Sequence, residues 1–360
     1  MAFGIETYRA DGSVAMNGSN KAGIFIEVLS ISGTGSKTYS SIPAGYLYYL
    51  VASSTGTHII TVTNDGAGNA KISWAINSQA VIQTTTYVQI FARKVTPSGT
   101  YGVSITGDSG DSLIDYTYPV PQYVATLTNP QAVAQGNVSY VTGPAGFVFK
   151  KAYTVPTTRN NTNRIALLYL PDSTSDDAWY ACSGFLSANP SGGENVYVYC
   201  VSQTSQHKVP TVHLFSLDGP ISGGGTFGIQ LFGATGTLIY DSSAENVSVK
   251  DVATVETNGN NGAAVSYALA LPTTTGVAAP FYEATWSAVS PAGYINERYL
   301  GVFQRKGSTI YYQIKLIDGA VNGRNDANAT QYAQSGNEQG GGMMVVDVAQ
   351  LSPQAFNFTS

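Results

Sequence analysis

The chain is short of charge. Lys and Arg number 17 and Asp and Glu 22 in 360 residues, 11 % in all, where an ordinary soluble domain carries about 25 %. The net charge of −5 comes without any Lys/Arg cluster, so nothing neutralises a run of phosphates and nucleic acid is not an expected partner. Long apolar runs are missing as well. The stretch Tyr46-Leu47-Tyr48-Tyr49-Leu50-Val51-Ala52 falls far short of the ~18–20 residues of a membrane helix, so no membrane insertion is expected. The opening Met-Ala-Phe-Gly-Ile-Glu-Thr-Tyr-Arg has no basic segment followed by an apolar one, and the chain is expected to be made in a cytoplasm and to work as translated. Almost no window of 11 or more residues carries apolar side chains at helical spacing.

What is present is strand signal and turn signal. Gly numbers 39 and Tyr 24, while hydrophobic residues make up 43 %, enough for a folded core. Ile59-Ile60-Thr61-Val62-Thr63, Tyr87-Val88-Gln89-Ile90-Phe91, Val196-Tyr197-Val198-Tyr199 and Tyr311-Tyr312-Gln313-Ile314 are rich in β-branched and aromatic residues, and clusters such as Asn64-Asp65-Gly66 separate such runs. This density of short strands predicts an all-β protein of sandwiches or barrels. Arg164–Leu170 reads equally as a helix turn or a buried strand.

The sequence repeats itself. Residues 3–19 and 227–243 share Phe3/Phe227, Gly4/Gly228, Ile5/Ile229, Ala10/Ala234, Gly12/Gly236 and Ser19/Ser243, with conservative pairs such as Glu6/Gln230, Tyr8/Phe232 and Asn17/Asp241 between them. A weaker third copy runs in register from Gly99-Thr100-Tyr101-Gly102-Val103 to Gly110. Each copy reads as a β-hairpin: alternating apolar residues, a turn at Asp11-Gly12, Ser109-Gly110 or Thr235-Gly236, then a second alternating strand. Gly at the second turn position supplies the positive φ of a tight hairpin. The copies divide the chain into three tandem β-sandwich-like units, 1–98, 99–224 and 225–360, related by internal repetition. Val88-Gln89-Ile90-Phe91, Val212-His213-Leu214-Phe215 and Tyr312-Gln313-Ile314-Lys315 form a second shared element near the end of each unit.

Candidate chemistry is sparse. Gly107-Asp108-Ser109-Gly110 resembles the nucleophile motif of chymotrypsin-like proteases, with His58 and Asp65 upstream in the family's order. Asp111 stands where that family has a further Gly, the spacing from His58 is too short for two barrels, and Ser109 occupies the repeat's turn position, so it is expected to be a turn residue. His58, His207 and His213 are the only histidines, and none is placed to share an ion with another. Asp172, Asp176 and Asp177 form the densest acidic group, a candidate for Ca²⁺ or for paired carboxylates on a glycan, and more simply a solvated loop. No catalytic, cofactor or metal residue is therefore assigned.

Cys182 and Cys200 lie symmetrically about Ser191 in an expected hairpin, which would make them cross-strand neighbours. The segment 318–342, from Asp318-Gly319 to Gly340-Gly341-Gly342, is a long turn-rich excursion expected to act as a contact arm. A surface rich in Tyr and neutral polar groups suits recognition or glycan stacking.

The opening Phe3-Gly4-Ile5-Glu6-Thr7-Tyr8-Arg9-Ala10-Asp11-Gly12-Ser13-Val14-Ala15-Met16-Asn17-Gly18-Ser19 resembles the start of small tail-tip, baseplate or fibre proteins of long-tailed bacteriophages. The copy at 227–243, ending Leu238-Ile239-Tyr240-Asp241-Ser242-Ser243, fits that pattern better still. The resemblance covers about 17 residues per copy and departs in having three linked copies. It implies a non-enzymatic virion protein of the tail, synthesised in the host cytoplasm and acting in assembly and host-surface attachment. It also implies other phage tail proteins as partners, a homo-oligomer with a trimer favoured, and a host cell-surface glycan or protein as target. A capsid-decoration protein or a bacterial surface adhesin is the alternative. A glycan depolymerase would need a carboxylate pair, which only the loop around Asp176 could supply.

Overall fold

The structure, a computed structural model, describes residues 7–8, 14–16, 23–53, 58–76, 86–96, 103–106, 112–115, 117–127, 131–138, 146–155, 164–170, 178–182, 194–202, 211–217, 229–242, 249–255, 265–268, 275–278, 283–290, 293–307, 309–320 and 341–347. Among these residues there is no helix; every element is a strand, and every pairing is antiparallel, as the alternating sequence predicts. In chain order the strands are β1 (Thr7–Tyr8), β2 (Val14–Met16), β3 (Ile24–Ile31), β4 (Gly35–Pro43), β5 (Leu47–Ser53), β6 (His58–Asn64), β7 (Asn69–Ile76) and β8 (Thr86–Ala92). There follow β9 (Ser104–Thr106), β10 (Ser112–Asp115), β11 (Gln122–Leu127), β12 (Gln131–Val138), β13 (Gly146–Val155), β14 (Arg164–Tyr169), β15 (Trp179–Cys182), β16 (Glu194–Ser202) and β17 (Thr211–Ser216). The last are β18 (Gln230–Phe232), β19 (Leu238–Asp241), β20 (Val249–Val255), β21 (Val265–Ala268), β22 (Thr275–Ala278), β23 (Glu283–Ser290), β24 (Gly293–Lys306), β25 (Thr309–Ala320) and β26 (Gly341–Asp347). The ambiguous Arg164 segment is thus a strand.

The three repeated segments each form a two-stranded hairpin, β1 with β2, β9 with β10 and β18 with β19. Their registers coincide residue for residue. Thr7 faces Met16 and Tyr8 faces Val14; Ile105 faces Ile114 and Thr106 faces Ser112; Leu231 faces Tyr240 and Phe232 faces Leu238. All three carry a bulge between those two pairs, so even the irregularity repeats. In the third hairpin Gly236 adopts φ 78° and donates to the Gly233 carbonyl at 2.9 Å, the positive-φ turn read from Thr235-Gly236.

The other strands form sheets whose order also recurs. The three-stranded sheets are β3-β8-β5 and β4-β7-β6. A six-stranded sheet runs β11-β17-β14-β22-β26-β20, and an eight-stranded sheet has the path β12-β13-β16-β15-β24-β25-β21 with β23 beside β24. The order β3-β8-β5 therefore reappears as β11-β17-β14 and as β20-β26-β22. Likewise β4-β7-β6 reappears as β13-β16-β15 and as β21-β25-β24. Bulges fall at matching points, between Phe25 and Glu27, Tyr123 and Ala125, and Val249 and Asp251. Opposite them stand Phe91 then Ile90, Phe215 then Leu214, and Val346 then Val345. This register corrects the second shared element: the counterpart of Val88–Phe91 and Val212–Phe215 is Met343–Val346 in β26, not Tyr312–Lys315, which lies in β25.

Burial follows these layers. Ile24, Ile42, Tyr49, Ile60, Ile72, Val88 and Ile90 fill the space between β3-β8-β5 and β4-β7-β6. Leu127, Val212 and Leu214 from the six-stranded sheet meet Tyr180, Val198, Cys200, Phe303 and Tyr312 from the eight-stranded one. A third cluster joins the two assemblies, bringing Phe25, Tyr48, Leu50 and Phe91 onto Tyr123, Phe215, Leu217, Val249, Met344 and Val346. Close approach matters here: a Cβ on Gly23 would come within 2.7 Å of Val249 Cγ2. Residues 321–340 of the expected contact arm lie outside the described residues; β25 extends to Ala320 and β26 starts at Gly341.

Candidate functional site

The residues flagged for proteolytic chemistry do not assemble. His58 opens β6 and Asp65 follows its end, so a strand rise of ~3.3 Å per residue sets them about 23 Å apart. His58 is buried, with Nδ1 sharing a 3.0 Å hydrogen bond with Thr86 Oγ1, and burial lowers its pKa. Asp65 organises the turn after β6. Its Oδ1 accepts from the Ala67 and Asn69 amides at 2.8 and 3.0 Å, and its Oδ2 accepts from Asn69 Nδ2 at 2.8 Å. The Asn69 side chain is the main reason the Asp65 carboxyl sits below the usual carboxylate range. Ser109, His207, Asp172, Asp176 and Asp177 lie outside the described residues. Among the described residues no three His, Cys, Asp or Glu side chains are grouped to hold a metal.

His213 belongs to a buried polar relay instead. It sits on β17 opposite Thr126 of β11, and the two share a hydrogen bond of 3.0 Å between Nδ1 and Oγ1. Thr126 Oγ1 also shares one of 2.6 Å with Tyr123 Oη. Burial pushes the His213 pKa down to about 4, leaving a neutral ring at neutral pH. By register, Gln89 and Met344 hold the same place in β8 and β26, and both are also buried. A position that accepts Gln, His or Met in three settings is filled for packing.

The expected Cys182–Cys200 pairing is displaced by two residues. β15 and β16 are indeed antiparallel neighbours, yet Tyr180 faces Cys200 and Cys182 faces Val198. The thiols are diagonal neighbours on one face of the sheet, and no disulfide joins them. Loop length does not by itself set hairpin register, and here the inward face of the strand decides: Tyr180 is completely buried against Phe303 and Tyr312.

The contact that sequence reasoning missed joins two repeats. Ile105 and Ile114 of the second hairpin pack with Leu231 and Tyr240 of the third, and Val120 completes the cluster. These are corresponding residues by register. The Val120 amide also donates to the Ile239 carbonyl at 3.0 Å. The same hairpins also keep apolar residues exposed, Val103 in the second and Ile229 and Phe232 in the third. Val103 and Ile229 are again corresponding residues. The hairpins are not identical in their polar pairs: Gln230 Nε2 donates to Asp241 Oδ2 at 2.8 Å, while Ser104 faces Asp115, whose buried Oδ2 has no hydrogen-bond partner among the described residues.

In comparisons with family models, curated proteins and solved structures, nothing matches this chain.

Proposed function

We propose that the chain is a structural virion protein of a bacteriophage tail tip, baseplate or tail fibre, acting by assembly and host-surface attachment. In this reading it consists of three tandem sandwich-like units, 1–98, 99–224 and 225–360, each a hairpin followed by a core of six shared strands, to which the second unit adds β12 and the third β23. The observation that carries the reading is the hairpin with one register written three times, two copies of which meet through corresponding residues. A surface used to bind another copy of itself within one chain is suited to subunit contacts, and repetition builds large, regular particles economically in sequence. The low charge fits the same role, since extensive polar but uncharged surface favours contact over colloidal repulsion.

The proposed work is therefore recognition and assembly rather than turnover, with other tail proteins and a host-surface glycan or protein as partners and the virion tail as location. Mass spectrometry of purified virions from a phage encoding the chain tests this. Peptides at a stoichiometry of several copies per tail, with antibody labelling at the tail end, are the expected result. A chain made in infected cells yet missing from purified particles overturns it.

A further inference from the structure

The six- and eight-stranded sheets are each made by joining two corresponding edges. β14 pairs with β22 and β15 pairs with β24, and in the repeated strand order β14 and β22 are counterparts, as are β15 and β24. Leu168 faces Val277 and Tyr169 faces Gly276. That register is centred on Leu167 and Ala278, which are themselves counterparts, because they face His213 and Met344 on the neighbouring strands. The join thus has the symmetry of a two-fold contact in which one edge meets its own copy.

The third pair of counterparts is β5 and β6. They end their sheets, and among the described residues no strand is paired to their outer edge; β26 packs against β5 through the side chains of Tyr48 and Leu50 with Met344 and Val346, without pairing to it. Their sequences, Leu-Tyr-Tyr-Leu-Val-Ala-Ser and His-Ile-Ile-Thr-Val-Thr-Asn, contain no Lys, Arg, Asp, Glu, Pro or Gly. Natural edges that must stay single are guarded by charge, proline or bulges. The opposite edge of the same two sheets is guarded in that way. Glu27 on β3 lies beside a bulge and bridges to Lys37 on β4 at 2.6 Å, Tyr39 Oη donates to Glu27 Oε1 at 2.6 Å, and β4 ends on Pro43. β5 has a bulge of its own at its end, between Val51 and Ser53, but charge and proline guard only the β3/β4 side, and the uncharged stretch of β5 around Leu50 precedes that bulge.

We propose that the β5/β6 edge is a self-pairing surface through which two copies of the chain join about a two-fold axis, β5 against β5 and β6 against β6. By the register of the internal join, Leu50 lies at the axis, since it faces Gln89 as Leu167 faces His213. The inference rests on the three-unit reading and extends it: two units satisfy each other inside the chain, and the odd one is satisfied by a second chain.

The test uses the whole chain. Wild type sediments at twice the 37.8 kDa chain mass at micromolar concentration, or, if it assembles further, at an even number of chains. Thr61 and Thr63 are exposed on β6, so Thr61→Lys with Thr63→Lys leaves the core untouched and sets like charges against each other across the axis. The double variant halves the mass with an unchanged circular dichroism spectrum, and Thr61→Val retains the wild-type mass. In wild type, hydrogen exchange of residues 47–53 and 58–64 slows as concentration rises, while β3 and β4 do not change. A monomeric wild type, a trimer indifferent to the lysines, or exchange independent of concentration overturns the inference. None of these outcomes touches the three-unit reading, which fails separately if an experimental structure finds different strand orders in the three units.

Discussion

Ile114 and Tyr240 occupy the same place in their hairpins, and they are packed against each other in one buried cluster. Both are essentially inaccessible to water. A repeat that buries its key residue against the matching residue of another copy couples the stability of the two.

Truncation measures that coupling. Ile114→Ala is expected to cost about 2–5 kcal/mol and Tyr240→Ala about 3–5 kcal/mol, by lost burial and residual cavity. The double variant is expected to fall short of the sum by about 0.5–3 kcal/mol, because each residue is the other's packing partner. Chemical denaturation of the four proteins reads this directly; strict additivity would show that the two hairpins are independent.

The hairpins were legible because each is local: the alternation and the turn lie within one 17-residue window, and register follows from both. The all-strand character of the described residues was legible for the same reason. Sheet order was not, because β3 meets β8 across more than fifty intervening residues, and nothing local marks that partnership. The misassigned element has the same cause. Tyr312-Gln313-Ile314 looks more like Val88-Gln89-Ile90 than Met343-Met344-Val345 does, yet the buried position tolerates Gln, His and Met alike, so resemblance of side chains misleads where register does not. Cys182 and Cys200 slipped by two residues because a two-residue shift keeps every side chain on its face. The Ile114–Tyr240 contact had a signal, two apolar residues at one repeat position, but no sequence pattern states which copies touch.

His213 makes stability depend on acidity. Its pKa in the folded protein, about 4, lies below the unfolded value near 6.5. Between these values the unfolded chain binds the proton and the folded one does not, so stability falls as pH drops from 6.5 towards 4. The loss reaches about 3 kcal/mol at most, at 1.36 kcal/mol per pH unit. His213→Gln, which places the residue that β8 uses at the matching position, is expected to flatten this part of the profile. His58, also lowered by burial, leaves a residual slope of the same sign. Thermal denaturation from pH 4 to 8 checks both; an unchanged slope in His213→Gln excludes the assignment.

Neither thiol is expected to react in the native protein. Burial pushes the Cys182 thiol up to about 12, leaving almost no thiolate at neutral pH, and Cys200 is buried. Treatment with a thiol-specific reagent should label both cysteines only on the timescale of unfolding, and at full rate in denaturant. Fast labelling of Cys182 in the native state would contradict its placement on the inward face.

The second and third hairpins differ in one polar pair, and the difference predicts a stabilising graft. In the third, Gln230 faces Asp241 and donates to Oδ2 at 2.8 Å. In the second, the matching carboxylate is Asp115, only 2 % exposed. Its Oδ1 accepts from the Thr117 amide at 2.9 Å, and its Oδ2 has no partner among the described residues. The residue facing Asp115 is Ser104, exposed and too short to reach as Gln230 does. A buried carboxylate oxygen without a donor costs about 1–3 kcal/mol, and a hydrogen bond to a charged group returns a similar amount. Ser104→Gln places the missing amide at a register position where the third hairpin already uses it. It is expected to raise stability by about 1 kcal/mol after the entropy of fixing the longer side chain. Ser104→Leu, with comparable bulk and no donor, gains nothing. Equal stabilisation by both variants would assign the effect to packing and remove the hydrogen-bond argument.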